Sequence, residues 1–175
     1  MFLLFHIAVP LIVFEIPQIK NRFEFNRLAL IIGSIFPDII DKPFLLLSLG
    51  SGRGISHTLL FAIVSFLILF LITRGNKPVS ISFLIGIIAH LLLDLPEIPL
   101  FFPFINYDFY ILDDPLGEWI HTLFNNPIVF ATEIIGLSIL VIILLMNKLY
   151  NIKQITNYFI KTHSQKTRYE KIITI

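Results

Sequence analysis

The chain has 175 residues, enough for one folded unit but too few for a cofactor domain plus a separate substrate domain. Hydrophobic residues make up 56% and charged residues 14%, and the mean hydropathy is +0.86; a soluble core of this size cannot hide that apolar surplus, so an ordinary cytosolic enzyme is excluded. The net charge of +1 argues against nucleic acid as a partner, and the absence of Cys removes disulfides, thiolate metal sites and a Cys nucleophile, leaving His, Asp and Glu as the metal ligands on offer.

A bilayer core about 30 Å thick takes roughly 20 apolar residues per helix. Five hydrophobic segments are candidates, and together they predict an all-α, multi-pass membrane helix bundle. The first, Met1–Phe14, is short and has neither a basic leader nor a small-residue cleavage site, so it is expected to be retained rather than removed as a signal peptide. The second, Leu28–Leu49, carries Pro37, Asp38, Asp41, Lys42 and Pro43 near its middle, which predicts a broken helix lining an interior site. The third, Gly54–Thr73, lies between Arg53 and Arg74 without a formal charge, and the fourth, Pro78–Leu93, closes at Asp94 and Pro96. The long Pro96–Asn126 connection reads as interfacial, with Trp119 at the headgroup level; the fifth segment, Pro127–Asn147, opens with a proline and is interrupted only by Glu133. These segments define a membrane-embedded domain over residues 1–147, followed by a basic tail over 148–175.

Lys20, Arg22, Arg27, Arg74, Lys77 and the cations of the tail fall on one side of this arrangement, while the other side has only Lys42 and Arg53. The positive-inside rule therefore predicts a cytoplasmic tail and an outward-facing Pro96–Asn126 connection. The tail mixes Tyr150, Ile155, Tyr158, Phe159 and Ile160 with its cations, which suits either a helix on the anionic leaflet or a solvated end that sets topology; His163 is assigned no chemistry.

Ionisable residues inside membrane segments are costly and mark interior sites. In this topology His6, Asp38, Asp41, His57, His90 and Asp94 all fall toward the outer side, although only Lys and Arg were used to orient the chain. Asp38 and Asp41 are three apart, and His90 and Asp94 four apart, so each pair can share a helix face. Imidazole and carboxylate ligands suit zinc, with manganese and iron as alternatives. Structural hydrogen bonding and, for His6, placement in the headgroups are the competing explanations.

The succession of His6, "GSIFPDIID" (33–41), "GRGISHT" (52–58) and "GIIAHLLLDLPEIPLFFPF" (86–104) resembles the membrane-bound metal-dependent hydrolase family typified by the YdjM-like proteins. The order of these elements is also similar to part of the ligand set of the zinc-dependent phospholipase C and P1 nuclease fold. The resemblance implies His6, Asp38, His57, His90 and Asp94 as metal ligands, with Asp41 as a further ligand or a supporting carboxylate. Leu95-Pro96-Glu97 stands where the family usually has a Thr-Pro turn, and the remaining phospholipase ligands have no unambiguous equivalent; Glu118 and His121, three apart, are candidates for them, with an amphipathic interfacial helix as the favoured alternative.

The function expected from this combination is hydrolysis of a phosphoester or lipid-like substrate at the outer face by metal-activated water. Asp41 or Asp38 would accept a proton, and Arg53 would offset the substrate's charge. Membrane lipids and a small amphiphile are the expected partners. The rival expectations are a cation or proton transporter built on the same residues, and an inactive member that keeps only the bundle.

Overall fold

The computed structural model describes residues 3–47, 49–109 and 114–160, and every regular element among them is helical. Asp113, His163 and the tail cations Lys161, Lys166, Arg168 and Lys171 lie outside the described residues. The helices run in chain order as α1 (Leu3–Glu15), α2 (Pro17–Lys20), α3 (Arg27–Leu46), α4 (Leu59–Ile72), α5 (Lys77–Leu93), α6 (Pro115–Asn125), α7 (Pro127–Met146) and α8 (Ile152–Ile160), with a 3₁₀ turn, Ile55–His57, before α4. Their starts are written in capping chemistry. Asn26, Thr58, Asn76, Asp114 and Asn126 each accept a hydrogen bond from a first-turn amide, and α5, α6 and α7 place a proline at the opening positions, where its missing N–H costs nothing.

The second hydrophobic segment is not broken, contrary to the expectation from Pro37 and Pro43: α3 runs continuously through both. Its turns around Pro37 are supported from outside. The Ser34 carbonyl accepts a 2.7 Å bond from His90 Nδ1, and the Pro37 carbonyl accepts a 2.8 Å bond from the Ser56 hydroxyl. A proline removes one ladder bond, and neighbouring groups that engage nearby carbonyls let the helix continue.

The most extensive helix pair is α3 with α5. Gly33 and Gly86 make it possible, since a Cβ on Gly33 would overlap the Phe83 carbonyl and one on Gly86 would overlap the backbone of Leu30 and Ser34. A similar close approach joins α7 to α1, where a Cβ on Gly136 would lie 2.7 Å from the Phe5 amide nitrogen. One turn away, Glu133 accepts bonds from the amides of Leu4 and Phe5 at 3.1 and 3.3 Å. The lone acid of the fifth segment therefore satisfies first-turn donors of α1, where a negative charge also suits the helix dipole.

Polarity is distributed opposite to that of a water-soluble bundle. His6, His57 and His90 are fully buried, whereas Leu71 and Ile72 on α4 and Ile128 on α7 are each at least 70% exposed. An apolar exterior around ionisable groups is the arrangement that lipid selects. Among the described residues one helix, α7, meets the requirement for crossing a membrane by length and composition, while α1, α4 and α5 are shorter apolar helices. The third segment is shorter than expected because its first residues form the 3₁₀ turn, and Thr58 caps the helix that follows.

The tail's first helix does more than lie on a surface. Tyr158 of α8 is buried with Leu11, Phe14, Phe25 and Leu30, and its hydroxyl donates to Glu15 at 2.7 Å. Glu15 also accepts from Arg27 at 2.8 Å and from Lys20 at 2.5 Å, and the Arg27 guanidinium lies over the Tyr158 ring, 4.2 Å from its centroid. Burial and the hydrogen bond to the Glu15 carboxylate hold the Tyr158 hydroxyl well above the usual phenol range.

Candidate metal centre

Four stretches of chain meet in one buried pocket. α1 contributes His6, α3 contributes Asp38, the 3₁₀ turn contributes His57, and α5 contributes His90 from its last turn and Asp94 from its C-cap position. The two α5 groups project together because they are one helical turn apart. His57 Nε2 lies 3.2 Å from His90 Nε2, and the Asp38 Oδ1 atom lies 3.6 and 3.9 Å from these two nitrogens. Asp94 Oδ2 lies 3.9 Å from His57 Nε2 and 3.8 Å from His90 Nε2, while its Oδ1 is 3.2 Å from His6 Nε2. The His6 and His90 rings are 4.2 Å apart between centroids.

These atoms form two triads that can each hold a metal ion, His6, His90 and Asp94 on one side and Asp38, His57 and His90 on the other, each with its ligand atoms within 4.8 Å of one another. His90 belongs to both.

The outer partners of the imidazoles decide which nitrogen faces the pocket. The Ser34 carbonyl can only accept, so the His90 Nδ1 atom 2.7 Å away carries its proton. The Asp41 carboxylate likewise takes the His57 Nδ1–H at 2.8 Å, and its same oxygen accepts the Gly54 amide at 2.7 Å. In their neutral forms both rings consequently present an unprotonated Nε2 to the same space, where two lone pairs face one another at 3.2 Å beside carboxylate oxygens. A cation between them converts a repulsive arrangement into a favourable one, and carboxylate or carbonyl support behind a histidine is the usual outer shell of a metal site. The donor set therefore fits a divalent metal ion.

Asp41, expected as a ligand or proton acceptor, is engaged behind His57 and ties the "GRGISHT" stretch to α3. Lys42 pairs with Asp38 at 2.7 Å rather than with Asp41, as the i,i+4 spacing allows. Arg53 stands at the mouth of the pocket, 3.6 Å from Asp94 Oδ2 and ion-paired to Glu97. A cavity of about 490 Å³ opens onto Asp38 and Asp94, and Glu118 lines it, whereas His121 is not among its lining residues. Glu133 is committed to α1, away from the cluster. Sequence reasoning missed Lys42 and Glu97 as site residues; the only signal for Lys42 was its distance of four residues from Asp38. The backbone acceptor at Ser34 had no side-chain signal at all.

No curated protein and no solved structure matches this chain. A family model does, that of the YdjM inner membrane protein, over residues 1–156. That match covers every element of the cluster, and with an apolar exterior around it the protein is a membrane protein belonging to the YdjM inner membrane protein family.

Proposed function

We propose that the protein is a membrane-embedded hydrolase dependent on a divalent metal ion, zinc by preference of its ligands, that acts on phosphoester or lipid-like substrates at the outer face of the membrane. The observation that carries this reading is the convergence of three imidazoles and two carboxylates, with the Nε2 atoms of His57 and His90 3.2 Å apart and backed by Asp41 and the Ser34 carbonyl. When bound, such an ion supplies a Lewis acid and activates water near neutral pH. The similarity to the zinc-dependent phospholipase C and P1 nuclease fold belongs to this proposal as an analogy of ligand order.

The chain's own groups then take distinct parts. His6, Asp38, His57, His90 and Asp94 hold the ion. Asp41 keeps His57 in the tautomer that ligates, and Lys42 holds one oxygen of Asp38 while the other faces the imidazole Nε2 atoms. Arg53 offsets negative charge at the mouth. In this reading α1, α3, α4, α5 and α7 form a five-segment bundle over residues 1–147, α6 lies at the outer interface, and residues 148–175 are cytoplasmic.

The test is turnover of a panel of phosphomonoesters, phosphodiesters and phospholipids by purified protein in mixed micelles. The expected result is hydrolysis of at least one class, abolished by a chelator, restored by zinc or manganese, and reduced by at least about 100-fold in His57→Ala. Hydrolysis that survives chelation, or none from metal-loaded protein, contradicts the reading.

A further inference from the structure

The cavity beside the cluster has a polar end and an apolar wall. Asp38 and Asp94 form part of its inner end, Lys42 and Arg53 stand beside them, and Leu45 and Ile128 line the apolar part. Ile128 is 70% exposed, so this wall runs out onto the apolar surface of α7. The Lys42 ammonium also lies over the ring of Trp119, 4.8 Å from its centroid, and Trp119 lines the same space.

Both cations are held by carboxylates, but not by equivalent ones. Lys42 pairs with Asp38, and Arg53 approaches Asp94; both partners are buried members of the candidate metal centre. Arg53 also pairs with Glu97, whose side chain is 68% exposed. A metal ion that takes up the charge of Asp38 and Asp94 weakens their hold on Lys42 and Arg53. The Glu97 pair is a surface ion pair, inexpensive to exchange. Two cations are then available at the polar end, in front of an apolar wall that leads toward lipid.

We propose that this cavity binds an anionic amphiphile, with Lys42 and Arg53 holding a phosphate-type headgroup and the apolar wall holding the start of its chain, and that Glu97 is the internal carboxylate the headgroup displaces from Arg53. This rests on the hydrolase reading and narrows its substrate to an anionic amphiphile held by its headgroup. Lys42 meets the headgroup as a point charge and Arg53 through its planar fork. Glu97 sets the affinity as an intramolecular competitor.

Trp119 is the single tryptophan of the chain and lines the cavity, so the emission follows one residue at this place. Zinc-loaded protein in mild detergent is titrated with hexylphosphonate, which cannot be hydrolysed, and in parallel with inorganic phosphate and with hexanol. The proposal expects a saturable change with hexylphosphonate at concentrations at least about tenfold below those needed for either control, because each control lacks one half of the match. Lys42→Gln and Arg53→Gln each weaken binding about tenfold, the loss expected for one charge-assisted contact. Glu97→Gln tightens it about threefold, a gain that misfolding cannot imitate.

Chelation weakens binding by at least about tenfold, as the uncovered carboxylates recapture the cations and repel the anion. Phosphate binding as tightly as hexylphosphonate points to a free anion and overturns the amphiphile; hexanol binding as tightly overturns the cationic contact. An unaltered affinity in Glu97→Gln overturns the competitor role. Binding without turnover of any substrate strikes the hydrolase reading and leaves the cavity assignment standing, whereas chelator-sensitive turnover without hexylphosphonate binding does the reverse.

Discussion

The Nδ1 atoms of His57 and His90 meet the Asp41 carboxylate and the Ser34 carbonyl, and those two contacts determine what the opposite nitrogens can do. Removing the charge behind His57 while keeping its shape tests this at the scale of one residue. Asp41→Asn is expected to lower zinc affinity about 10- to 100-fold, measured by competition with a chromophoric chelator, while leaving helix content intact. An affinity equal to that of the parent would show that Asp41 does not orient the ring. At this scale much was legible in the sequence: His6, Asp38, His57, His90 and Asp94 are residue types that lipid penalises, and all five were singled out and are brought together. The side on which Asp41 acts was not legible, because Asp38 and Asp41 are three apart on one helix and spacing alone gives both the same claim to the pocket. Arg53 was legible as a cation near the site, but its pairing with Glu97 spans 44 residues of chain and depends on the fold of the connection.

The helices place these residues through close backbone contact. On α5, Gly86 and His90 are one turn apart, and Gly86 sits against Leu30 and Ser34, the latter supplying the carbonyl that holds His90. Gly86→Ala is therefore expected to push α5 off α3, to cost about 1–3 kcal/mol of stability as overpacking does, and to weaken metal binding by disturbing the His90 contact. Thermal unfolding and metal titration of the same variant check both halves; a variant with unchanged melting temperature and affinity would contradict this account of the helix pair. The proline openings of α5 and α7 were readable at the starts of the fourth and fifth segments, whereas the caps Asn26, Thr58, Asp114 and Asn126 were not singled out. The continuity of α3 was not, since the support for its turns around Pro37 comes from Ser56 and His90, far along the chain. The docking of α8 was equally hidden, because Tyr158 and Glu15 are 143 residues apart.

For the molecule as a whole, ionisable side chains buried among the described residues fall into two groups, the cluster and the set of Glu15, Arg27 and Tyr158. The proposed orientation puts these groups at opposite faces of the membrane. The chain has no cysteine, so single-cysteine variants can be labelled without background. In spheroplasts, an impermeant maleimide is expected to modify Asp108→Cys, and to modify Lys153→Cys only after permeabilisation; the opposite pattern would invert the proposed orientation. The membrane location follows from the family and from the apolar exterior; among the described residues, α7 alone is long and apolar enough to cross a membrane by itself. The third segment is the one shortened, by the turn that carries His57, whereas α1, α3 and α5 run close to their expected bounds.

The claim on which the account turns is that the five groups form a metal centre, and its most direct test is the metal content of protein purified in mild detergent. Elemental analysis after incubation with zinc and removal of excess is expected to find one ion per chain, or two if both triads fill, falling by at least about tenfold in a protein carrying both His90→Ala and Asp94→Ala. Parent protein that stays folded, by circular dichroism, and retains no zinc, manganese or iron would contradict it.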